Sequence, residues 1–574
     1  MRKSNYDKNP STVLIGKALT SWLDIINKLN NFYSKSQVWV VEYYVGINEE
    51  YIIEELSRCG RKIINTRDLM KSENEVKLMT ERFVTDDILF GYMSNLCLSD
   101  YFDIEKVEKV KNLLPYDDYI IVGTGASLIS PAVTPVVYAD MARWEIQQRF
   151  RRHEVKALGL DNSADEPCLQ YKRGYFNDWN ICDNHKADLI KSGRIAYWLD
   201  TNDASIPKMI SHEIFMQGIE KTVKKPFRVV PFFDPAPWGG QWMKDVCDLD
   251  TSVPNYGWCF DCVPEENSLY FQIGDVRFEL PSKNLVIIKS LELLGEDVEA
   301  RFGKEFPIRF DFLDTMGGGN LSLQVHPTIE FASKNFGLKY TQDESYYLLD
   351  AGEESTVYLG LKEGVDRNAM IEDLRSAQRG EIVFDADKYI NKIPAKKHDH
   401  FLIPAGTIHC SGSGGMVLEI SSTPSIFTFK LWDWQRLGLD GKPRPINVER
   451  GKEVINWSRD TEYVYENLYN KVSVISDEEG VKEEKTGLHP EEFIETRRHI
   501  FTKTVTHNTN GGVNVLNLVD GDEAIVESPS NAFEPLVVHY AETFIIPACI
   551  GEYTIRPYGV SEGKTCMTIK AYVR

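Results

Sequence analysis

The sequence has no long hydrophobic run and no excess of basic residues. None of its apolar stretches approaches the roughly 18 uncharged residues of a membrane-spanning helix. Asp and Glu number 86 against 65 Lys and Arg, which gives a net charge of −21. Nucleic acid and anionic membranes require a basic surface, so we expect neither as a partner. A small anionic substrate is still compatible, because it needs only a few local cations.

Cysteine is scarce, with ten residues scattered over 574 positions. This pattern is typical of reduced thiols rather than of a disulfide framework. Cys259 and Cys262 form a CxxC pair, but the second pair that would complete a four-cysteine zinc site is missing. Near the N-terminus, the apolar run VLIG is too short for a signal peptide. We therefore predict a cytoplasmic protein.

The chain is too long for one hydrophobic core, so several domains are expected. Residues 1–225 mix helical periodicity, as in DMARWEIQQRFRR, with strand-like runs such as VWVVEYYVG, which predicts an α/β domain. The Gly-rich turn at residues 123–127 lacks the lysine of a P-loop and the third glycine of a dinucleotide fingerprint. An ordinary strand-to-loop turn is favoured there. The segment after residue 170 faintly resembles the nucleoside-kinase fold of the uridine kinase group, without its phosphate loop.

From residue 226 the sequence is rich in short strands separated by Gly, Pro and Asp turns, which predicts a β-sandwich or barrel. The strand end FLIPAGTIHCSG is echoed later by FIIPACIGEY, which indicates two copies of one β-module, the second without the histidine. Between them, the charged residues 474–493 favour a solvated linker or a helix pair. We therefore predict one β domain at 226–470 and a second at 471–574.

Polar residues alternate in the segment LSLQVHP, where Ser322, Gln324 and His326 would share one face of a strand. Taken alone, this segment favours a solvent-exposed face. Two further polar residues change the interpretation, because Glu344 opens the strand ESYYLLDAG and His409 follows a Pro-Ala-Gly turn. Two imidazoles, a carboxylate and an amide at the mouth of a barrel could hold one divalent ion. Zinc suits this set, and manganese or cobalt would also be tolerated.

Five motifs occur in the order and spacing of one known family: DPAPWGGQWM, LSLQVHP, ESYYLLDAG, FLIPAGTIHCSGSGGMVLEI and LWDWQRLGLDGKPRPINVERGKEVI. From about residue 227 to the end, the chain resembles the class I mannose-6-phosphate isomerases, which are zinc-dependent cupins. The resemblance implies that Gln324, His326, Glu344 and His409 bind one zinc ion. The expected fold class is therefore multidomain, with an N-terminal α/β domain followed by all-β cupin (jelly-roll) domains.

The resemblance also suggests roles for residues around the metal. It implies a substrate-phosphate contact at Ser322, whereas a packing or turn role suits residues 238–240 of the PWGG motif equally well. Lys430 stands where the family has an active-site arginine, so it keeps the charge but loses the bidentate fork. Lys430 and Arg436 could hold the phosphate or stabilise developing negative charge. Lys442, in the same segment, is expected in a solvated loop.

Isomerisation of an aldose to a ketose moves a proton between C1 and C2 through an enediol and therefore needs a base. Glu419 is a candidate, although a structural role suits it equally well. Gln342 stands where the family often has a lysine, two residues before Glu344. His398 and His400, just before the strand HFLIPAG, are expected on the surface. The leading interpretation is reversible, metal-dependent interconversion of mannose 6-phosphate and fructose 6-phosphate.

Two alternatives remain open at this point. A catalytically weak or inactive regulatory cupin that binds a sugar phosphate is favoured by Gln342 and Lys430, and disfavoured by the complete set of four ligands. A bifunctional chain, whose first 225 residues phosphorylate a sugar or a nucleoside, is disfavoured by the missing phosphate loop. The partner is in each case a small sugar phosphate or nucleoside, and neither nucleic acid nor a membrane is expected.

Overall fold

The described part of a computed structural model of the chain comprises residues 4–34, 36–422, 427–438, 441, 444, 446–487, 489–490 and 492–574. The chain is multidomain and combines an α/β layer with several antiparallel β-sheets. Within these residues, no helix is both long and apolar enough to span a membrane.

The first third of the chain alternates strands and helices. Its strands are β1 (Ser11–Leu14), β2 (Val38–Tyr43), β3 (Lys62–Asn65), β4 (Tyr119–Gly123), β5 (Val136–Asp140), β6 (Ile195–Asp200) and β7 (Lys208–Ser211). Its helices are α1 (Trp22–Phe32), α2 (Glu49–Ser57), α3 (Glu73–Val84), α4 (Ile104–Leu113), α5 (Ala126–Ile129), α6 (Arg143–Arg151), α7 (Pro167–Arg173), α8 (Trp179–Lys191) and α9 (His212–Val223).

Six of these strands form one sheet in the order β3-β4-β2-β5-β6-β7. The first five are parallel, and β7 pairs antiparallel with β6. Every residue of β2 and β5 is buried, as expected for parallel strands covered by helices on both faces.

The Gly-rich turn after β4 receives a carboxylate of the protein itself. The backbone N–H groups of Gly125 and Ser127 donate to the Glu42 side chain at 2.5 and 2.7 Å. Gly123 and Gly125 both have positive φ, 125° and 87°, which glycine adopts without steric cost. The position that a phosphate would take in a nucleotide-binding turn is thus filled by Glu42, in line with the ordinary turn that we expected.

The middle of the chain is dominated by antiparallel strands. They are β8 (Phe232–Asp234), β9 (Trp258–Cys262), β10 (Ser268–Ile273), β11 (Val276–Pro281), β12 (Arg309–Asp314), β13 (Leu323–Val325), β14 (Glu344–Ala351), β15 (Thr356–Leu361), β16 (Ile390–Pro394), β17 (His400–Ile403), β18 (His409–Ser411), β19 (Gly415–Ser421) and β20 (Phe429–Trp432). The helices are α10 (Trp242–Val246), α11 (Lys283–Ile288), α12 (Ser290–Leu294), α13 (Glu296–Phe302), α14 (Ile329–Phe336), α15 (Arg367–Gln378), α16 (Ala386–Tyr389), α17 (Val448–Val454) and α18 (Thr461–Tyr463).

Most of these strands form two sheets, which we call the central sandwich. Their orders are β17-β14-β19-β12-β9-β8 and β16-β15-β18-β13-β20. The remaining two strands, β10 and β11, form a three-stranded sheet with β1, which pairs in parallel with β10. The first strand of the chain is therefore hydrogen-bonded to residues of the middle region rather than to the α/β sheet.

The last hundred residues form a second pair of sheets, which we call the C-terminal sandwich. Its strands are β21 (Ser473–Glu478), β22 (Val481–Gly487), β23 (Ile494–Phe501), β24 (Val505–Asn508), β25 (Asn514–Asp520), β26 (Glu523–Glu527), β27 (Leu536–His539), β28 (Thr543–Ile546), β29 (Glu552–Pro557) and β30 (Cys566–Val573). The sheet orders are β21-β22-β23-β30-β25-β28 and β24-β29-β26-β27.

The charged segment 474–493 was expected to be a solvated linker or a helix pair, and that expectation is wrong. Most of it is the hairpin β21–β22, which extends a sheet of the C-terminal sandwich. Its charges are paired across strands: Glu483 accepts from Arg497 at 2.7 Å and Glu484 from Arg498 at 2.7 Å. Such cross-strand ion pairs stabilise a sheet, so a charge run is compatible with strands.

A buried arginine links three distant parts of the chain. The Arg228 guanidinium lies 3.2 Å from Asp261 in β9 and 2.9 Å from Glu542, next to β28. It also donates to the backbone carbonyls of Asp7 and Thr543 at 2.7 and 3.1 Å. All these charged side chains are buried, so each depends on the others for compensation.

Replacing Arg228 is therefore expected to destabilise the whole chain. Arg228→Met removes the guanidinium that Asp261 and Glu542 share, and we expect a loss of about 3–5 kcal/mol in the free energy of unfolding, measured by urea denaturation. The matched control is Arg556→Met, which breaks a partly exposed pair with Glu527 and should cost less than about 1 kcal/mol. Equal effects of the two substitutions would contradict the structural role given to Arg228.

Candidate metal centre

The four predicted ligands come from both sheets of the central sandwich. Gln324 lies in β13, His326 follows that strand directly, Glu344 opens β14 and His409 opens β18. Gln324 is the direct cross-strand partner of His409 on one side and of Lys430 on the other. Because directly opposed residues point to the same face, these three side chains form a row across the sheet.

The polar face of LSLQVHP is buried and not exposed, contrary to what that segment alone favoured. Ser322, Gln324 and His326 are only 2%, 7% and 1% exposed. The face is turned toward the opposite sheet, where Glu344 lies. A polar strand face next to a buried carboxylate needs no solvent, because the polar groups satisfy each other.

The Glu344 carboxylate lies between two imidazoles and is fully buried. Its Oε2 lies 3.1 Å from Nε2 of His326, and its Oε1 lies 2.9 Å from Nε2 of His409. One ligand atom from each of the three residues lies within 4.8 Å of the others. This His-Glu-His group could bind a metal ion, because imidazole nitrogen and carboxylate oxygen are common ligands of divalent transition metals.

The backbone orients both imidazoles toward the centre of the group. Nδ1 of His326 donates to the carbonyl of Phe427 at 3.0 Å, and Nδ1 of His409 donates to the carbonyl of Thr407 at 2.9 Å. With the proton on Nδ1, the lone pair of each Nε2 points inward. Histidines that bind metals are typically held by such a hydrogen bond from the other ring nitrogen.

Gln324 borders this group and contacts both His409 and Ser322. Its amide Nε2 lies 3.1 Å from Nε2 of His409, and its Oε1 accepts from the Ser322 hydroxyl at 3.1 Å. A half-turn of the amide would exchange its two ends and present the oxygen to the centre of the group. Gln324 is thus placed where an amide ligand would have to be.

The charges around Glu344 keep its carboxylate ionised. Burial raises the pKa of Glu344, but His326 and His409 outweigh this effect and hold the pKa well below its ordinary value. Gln342 adds a hydrogen bond from its Nε2 to Oε2 of Glu344 at 2.7 Å. The residue at the family's lysine position therefore contacts the ligand carboxylate directly, as a neutral donor.

Glu419 lies on the same inner face as Glu344, and its surroundings shift its pKa in the opposite direction. It is buried in β19 and is the cross-strand partner of Tyr346 and Asp311. Burial, Glu344 and Asp311 raise the pKa of Glu419 well above its ordinary value, and Arg309 offsets this only in part. The site thus holds two carboxyl groups whose surroundings push their pKa values apart, an arrangement suited to acid and base chemistry.

A cationic cluster lies beside the row of Gln324 and Lys430. Asp433 pairs with Arg436 and with Arg444, each at 2.8 Å. Burial, together with Arg444 and Arg436, lowers the pKa of Lys430 to about 8 against the opposing effect of Asp433. Arg444 lies within the quoted motif LWDWQRLGLDGKPRPINVERGKEVI but was not singled out in the sequence, and Lys442 lies outside the described residues.

One of the two histidines expected on the surface is buried. His400 is fully buried in β17, with Nε2 at 2.9 Å from the Ser345 hydroxyl, so that expectation is wrong. Its strand is covered by the C-terminal sandwich, whose residue Arg498 donates to the carbonyl of the neighbouring His398 at 3.0 Å. Long-range packing of this kind leaves no local trace in the sequence.

A buried arginine clamps the turn that carries His409. Nη1 of Arg459 donates to the carbonyls of Pro404 and Ala405 at 2.7 and 2.6 Å and to the Thr407 hydroxyl at 2.5 Å. The carbonyl of the same Thr407 orients the His409 ring. Arg459 therefore positions a candidate ligand without touching the group itself, and the sequence contains no signal for it.

Residues 21–224 match a family model described as a domain of unknown function (DUF8485). Part of the chain is similar to enzymes named mannose-6-phosphate isomerase. The family model that matches the α/β layer has no defined role.

The particular relatives match only in part. Over 155 residues the chain is 30% identical to the mannose-6-phosphate isomerase ManA of Bacillus subtilis (strain 168), covering 27% of this chain and 45% of that protein. Over 220 residues it is 29% identical to the mannose-6-phosphate isomerase of Streptococcus mutans, covering 38% and 64%. The chain thus spans about half the length of the first curated relatives that it matches. A crystal structure of the Bacillus subtilis isomerase aligns with a TM-score of 0.49 and 18% identity, over 61% of this chain and 99% of that one.

The His-Glu-His group predicts metal binding that depends on its carboxylate. We expect about one divalent ion per chain in the wild type and less than about a tenth of that in Glu344→Gln and His409→Ala, measured by plasma mass spectrometry. Chelation should lower the thermal midpoint of the wild type only, because ligand binding to the folded state stabilises it. His153→Asn, at an exposed position that keeps its left-handed backbone (φ 58°), is the control. Full metal content in Glu344→Gln would show that the His-Glu-His group is not the metal site.

The clamp by Arg459 predicts a weaker site with all ligands intact. Arg459→Met should lower the metal affinity about 10- to 100-fold, as do other changes to groups that orient metal ligands, measured by competition with a fluorescent chelator. Arg375→Met, on an exposed arginine paired with Glu449, should leave the affinity unchanged. An unchanged affinity in Arg459→Met would show that the turn holds its shape without the guanidinium.

Proposed function

We propose that the chain is a metal-dependent aldose–ketose isomerase that interconverts mannose 6-phosphate and fructose 6-phosphate. The observation that carries this proposal is the buried His-Glu-His group with a cationic cluster along the same sheet. A metal site and a phosphate anchor side by side are what a sugar-phosphate isomerase needs. The partial similarity to mannose-6-phosphate isomerases supports the same reaction.

The proposed cofactor is one zinc ion, with Gln324 as the fourth ligand beside His326, Glu344 and His409. Two imidazoles, one carboxylate and one amide fit zinc, although other divalent metals share these preferences. When bound, the ion would polarise a substrate oxygen at C1 or C2. The buried, backbone-oriented imidazoles supply the preformed geometry that such a role requires.

The remaining steps fall to side chains of the chain itself. Glu419 is the proposed acid–base group, because its raised pKa suits a carboxyl group that takes up a proton from one carbon and returns it to the next. Lys430 and Arg436 are proposed to hold the phosphate and to stabilise negative charge on the enediol. Ser322, which is hydrogen-bonded to Gln324, is the proposed hydroxyl contact to the phosphate.

The proposed division of the chain follows the change in architecture. Residues 1–225 would form a separate domain of undefined role, 226–470 the catalytic cupin and 471–574 a second cupin-like domain. The family match to residues 21–224 supports the first boundary. A cytoplasmic setting is also proposed, because the ten cysteines are free thiols.

A binding protein with little turnover is the second candidate, and two observations favour it. Gln342 donates to Glu344 from the position of the family's lysine, so a charge is missing next to the ligand carboxylate. Lys430 replaces an arginine and cannot form a bidentate contact to phosphate. Both changes would weaken the proton transfer more than they weaken the binding of metal or sugar phosphate.

A coupled assay with mannose 6-phosphate separates these two candidates. We expect turnover by the zinc-loaded wild type, a loss of at least about 100-fold in His409→Ala, and a loss of about 10- to 100-fold in kcat/KM in Lys430→Met. Lys430→Arg should restore most of the rate, and Lys388→Met, on an exposed lysine of α16, should leave it unchanged.

The outcomes differ clearly for the two candidates. Sugar-phosphate binding by the wild type without turnover supports the binding protein. If zinc-loaded protein neither binds nor converts mannose 6-phosphate, both candidates are wrong.

A further inference from the structure

A second polar cavity opens at one end of the C-terminal sandwich, away from the His-Glu-His group. Its volume is about 450 Å³, within the range of small-molecule sites. It lies between α13, the loop at residues 508–512 and the ends of β23 and β30. We call it the C-terminal cavity.

Lys570 is the most unusual residue of this cavity. It lies on the inner face of β30, the same face as Cys566 and Thr568, and it is only 8% exposed. Among the described residues, its ammonium group has neither a hydrogen bond nor an ion pair. The centroid of the Tyr572 ring lies 5.5 Å from its Nζ. An ammonium group that is buried without an anion is energetically costly, so binding of an anion next to Lys570 would be favourable.

The surroundings of Lys570 add to this cost. Its direct cross-strand partner is Arg497, and like charges placed opposite each other destabilise a sheet. Arg497 is itself neutralised by Glu483 at 2.7 Å and Glu495 at 2.8 Å. Burial lowers the pKa of Lys570 to about 8, as expected for a cation that lacks a close partner.

The walls of the cavity are positively charged in a chain that is strongly negative overall. Besides the neutralised Arg497, Arg301 and Arg574 line it together with Lys570, and Asp297 is the acidic residue among the described lining residues. The Arg574 guanidinium donates to the backbone carbonyls of His489 and Glu492, which carry no net charge. Among the described lining residues the cations therefore outnumber the carboxylates, and Glu483 and Glu495 offset part of this charge at Lys570.

Neutral hydrogen-bonding groups complete the lining. Asn508, Thr509 and Asn514 face the cavity, and Asn510 adopts a left-handed backbone (φ 50°) beside Gly511. Tyr553 donates its hydroxyl to the Asn514 carbonyl oxygen at 2.9 Å, which fixes that amide. Amide and hydroxyl groups of this kind suit the hydroxyls of a small polyol or sugar.

We propose that the C-terminal cavity binds a small phosphorylated polyol or sugar, with Lys570 as the central phosphate contact. A phosphate monoester carries up to two negative charges near neutral pH and matches the charge excess better than a single carboxylate does. The site shares no residue with the His-Glu-His group, so it stands whether or not the proposed isomerase activity is correct.

Binding is tested in full-length protein that carries His409→Ala and Lys430→Met, so that the metal centre does not contribute. Calorimetric titration should show binding of mannose 6-phosphate and of inorganic phosphate, but not of mannose. Adding Lys570→Gln should weaken the binding of mannose 6-phosphate and of inorganic phosphate about 10- to 100-fold, the usual effect of losing a hydrogen bond to a charged group. Lys570→Arg should retain binding, and Lys503→Gln, an exposed lysine of the same sandwich, is the matched control.

A second measurement needs no substitution and locates the site directly. In the wild-type chain, inorganic phosphate should slow acetylation of Lys570 by an amine-reactive reagent, read by peptide mass spectrometry, while Lys503 reacts equally with and without phosphate. Equal binding by the Lys570→Gln variant, or equal acetylation of Lys570 in both conditions, would overturn the site. Mannose binding as tightly as mannose 6-phosphate would overturn the assignment to phosphorylated ligands.

Discussion

Burial of the Glu344 carboxylate between two sheets is the constraint around which the central sandwich is built. An ionised carboxylate cannot stay in a dry interior without compensation. His326 and His409 contact it from the facing sheet, and Gln342, two residues before the strand, adds a hydrogen bond. A slip of one residue in β14 would turn Glu344 to the other face and leave it unpaired, so the electrostatics also fix the register. The same requirement creates a site that suits a divalent cation, because a bound cation would compensate the buried carboxylate directly.

Rigidity at this centre comes from buried arginines outside it. Arg459 holds the turn before His409 through three hydrogen bonds, and Arg228 joins the N-terminal segment, β9 and the C-terminal sandwich. Neither arginine touches the His-Glu-His group. Each nevertheless restricts the backbone that carries or surrounds this group. A site keeps its geometry only when the residues that support it are themselves fixed by packing. The central sandwich thus depends on contacts from residues on both sides of it in the sequence.

The sequence allowed the α/β layer, the two strand-rich regions and the candidate ligands to be predicted, because all three leave local patterns. Alternation placed Gln324 and His326 on one strand face, but alternation cannot distinguish a solvent-facing polar face from one that lines a buried site. Only Glu344 and His409 made that distinction possible. These two residues are linked to Gln324 and His326 by the order of the family motifs, and not by the alternation along any one strand. Segment 474–493 was misassigned for a related reason. Its charges are paired with arginines of the next strand, and such pairing is a property of the sheet rather than of the segment.

The two sandwiches share a plan and differ in the sign of the charge that they bury. In the central sandwich the inner face carries the Glu344 carboxylate and two imidazoles, a set that could bind a cation. In the C-terminal sandwich the inner face carries Lys570 close to Arg301 and Arg574, so it attracts an anion. A sandwich interior has a low dielectric constant, and one charge without a close partner therefore determines which ligands can enter. The weak repeat between the two strand ends in the sequence then has a physical meaning. The first strand end carries His409, a member of the His-Glu-His group, whereas the second carries no histidine, and the buried cation of its sandwich is Lys570.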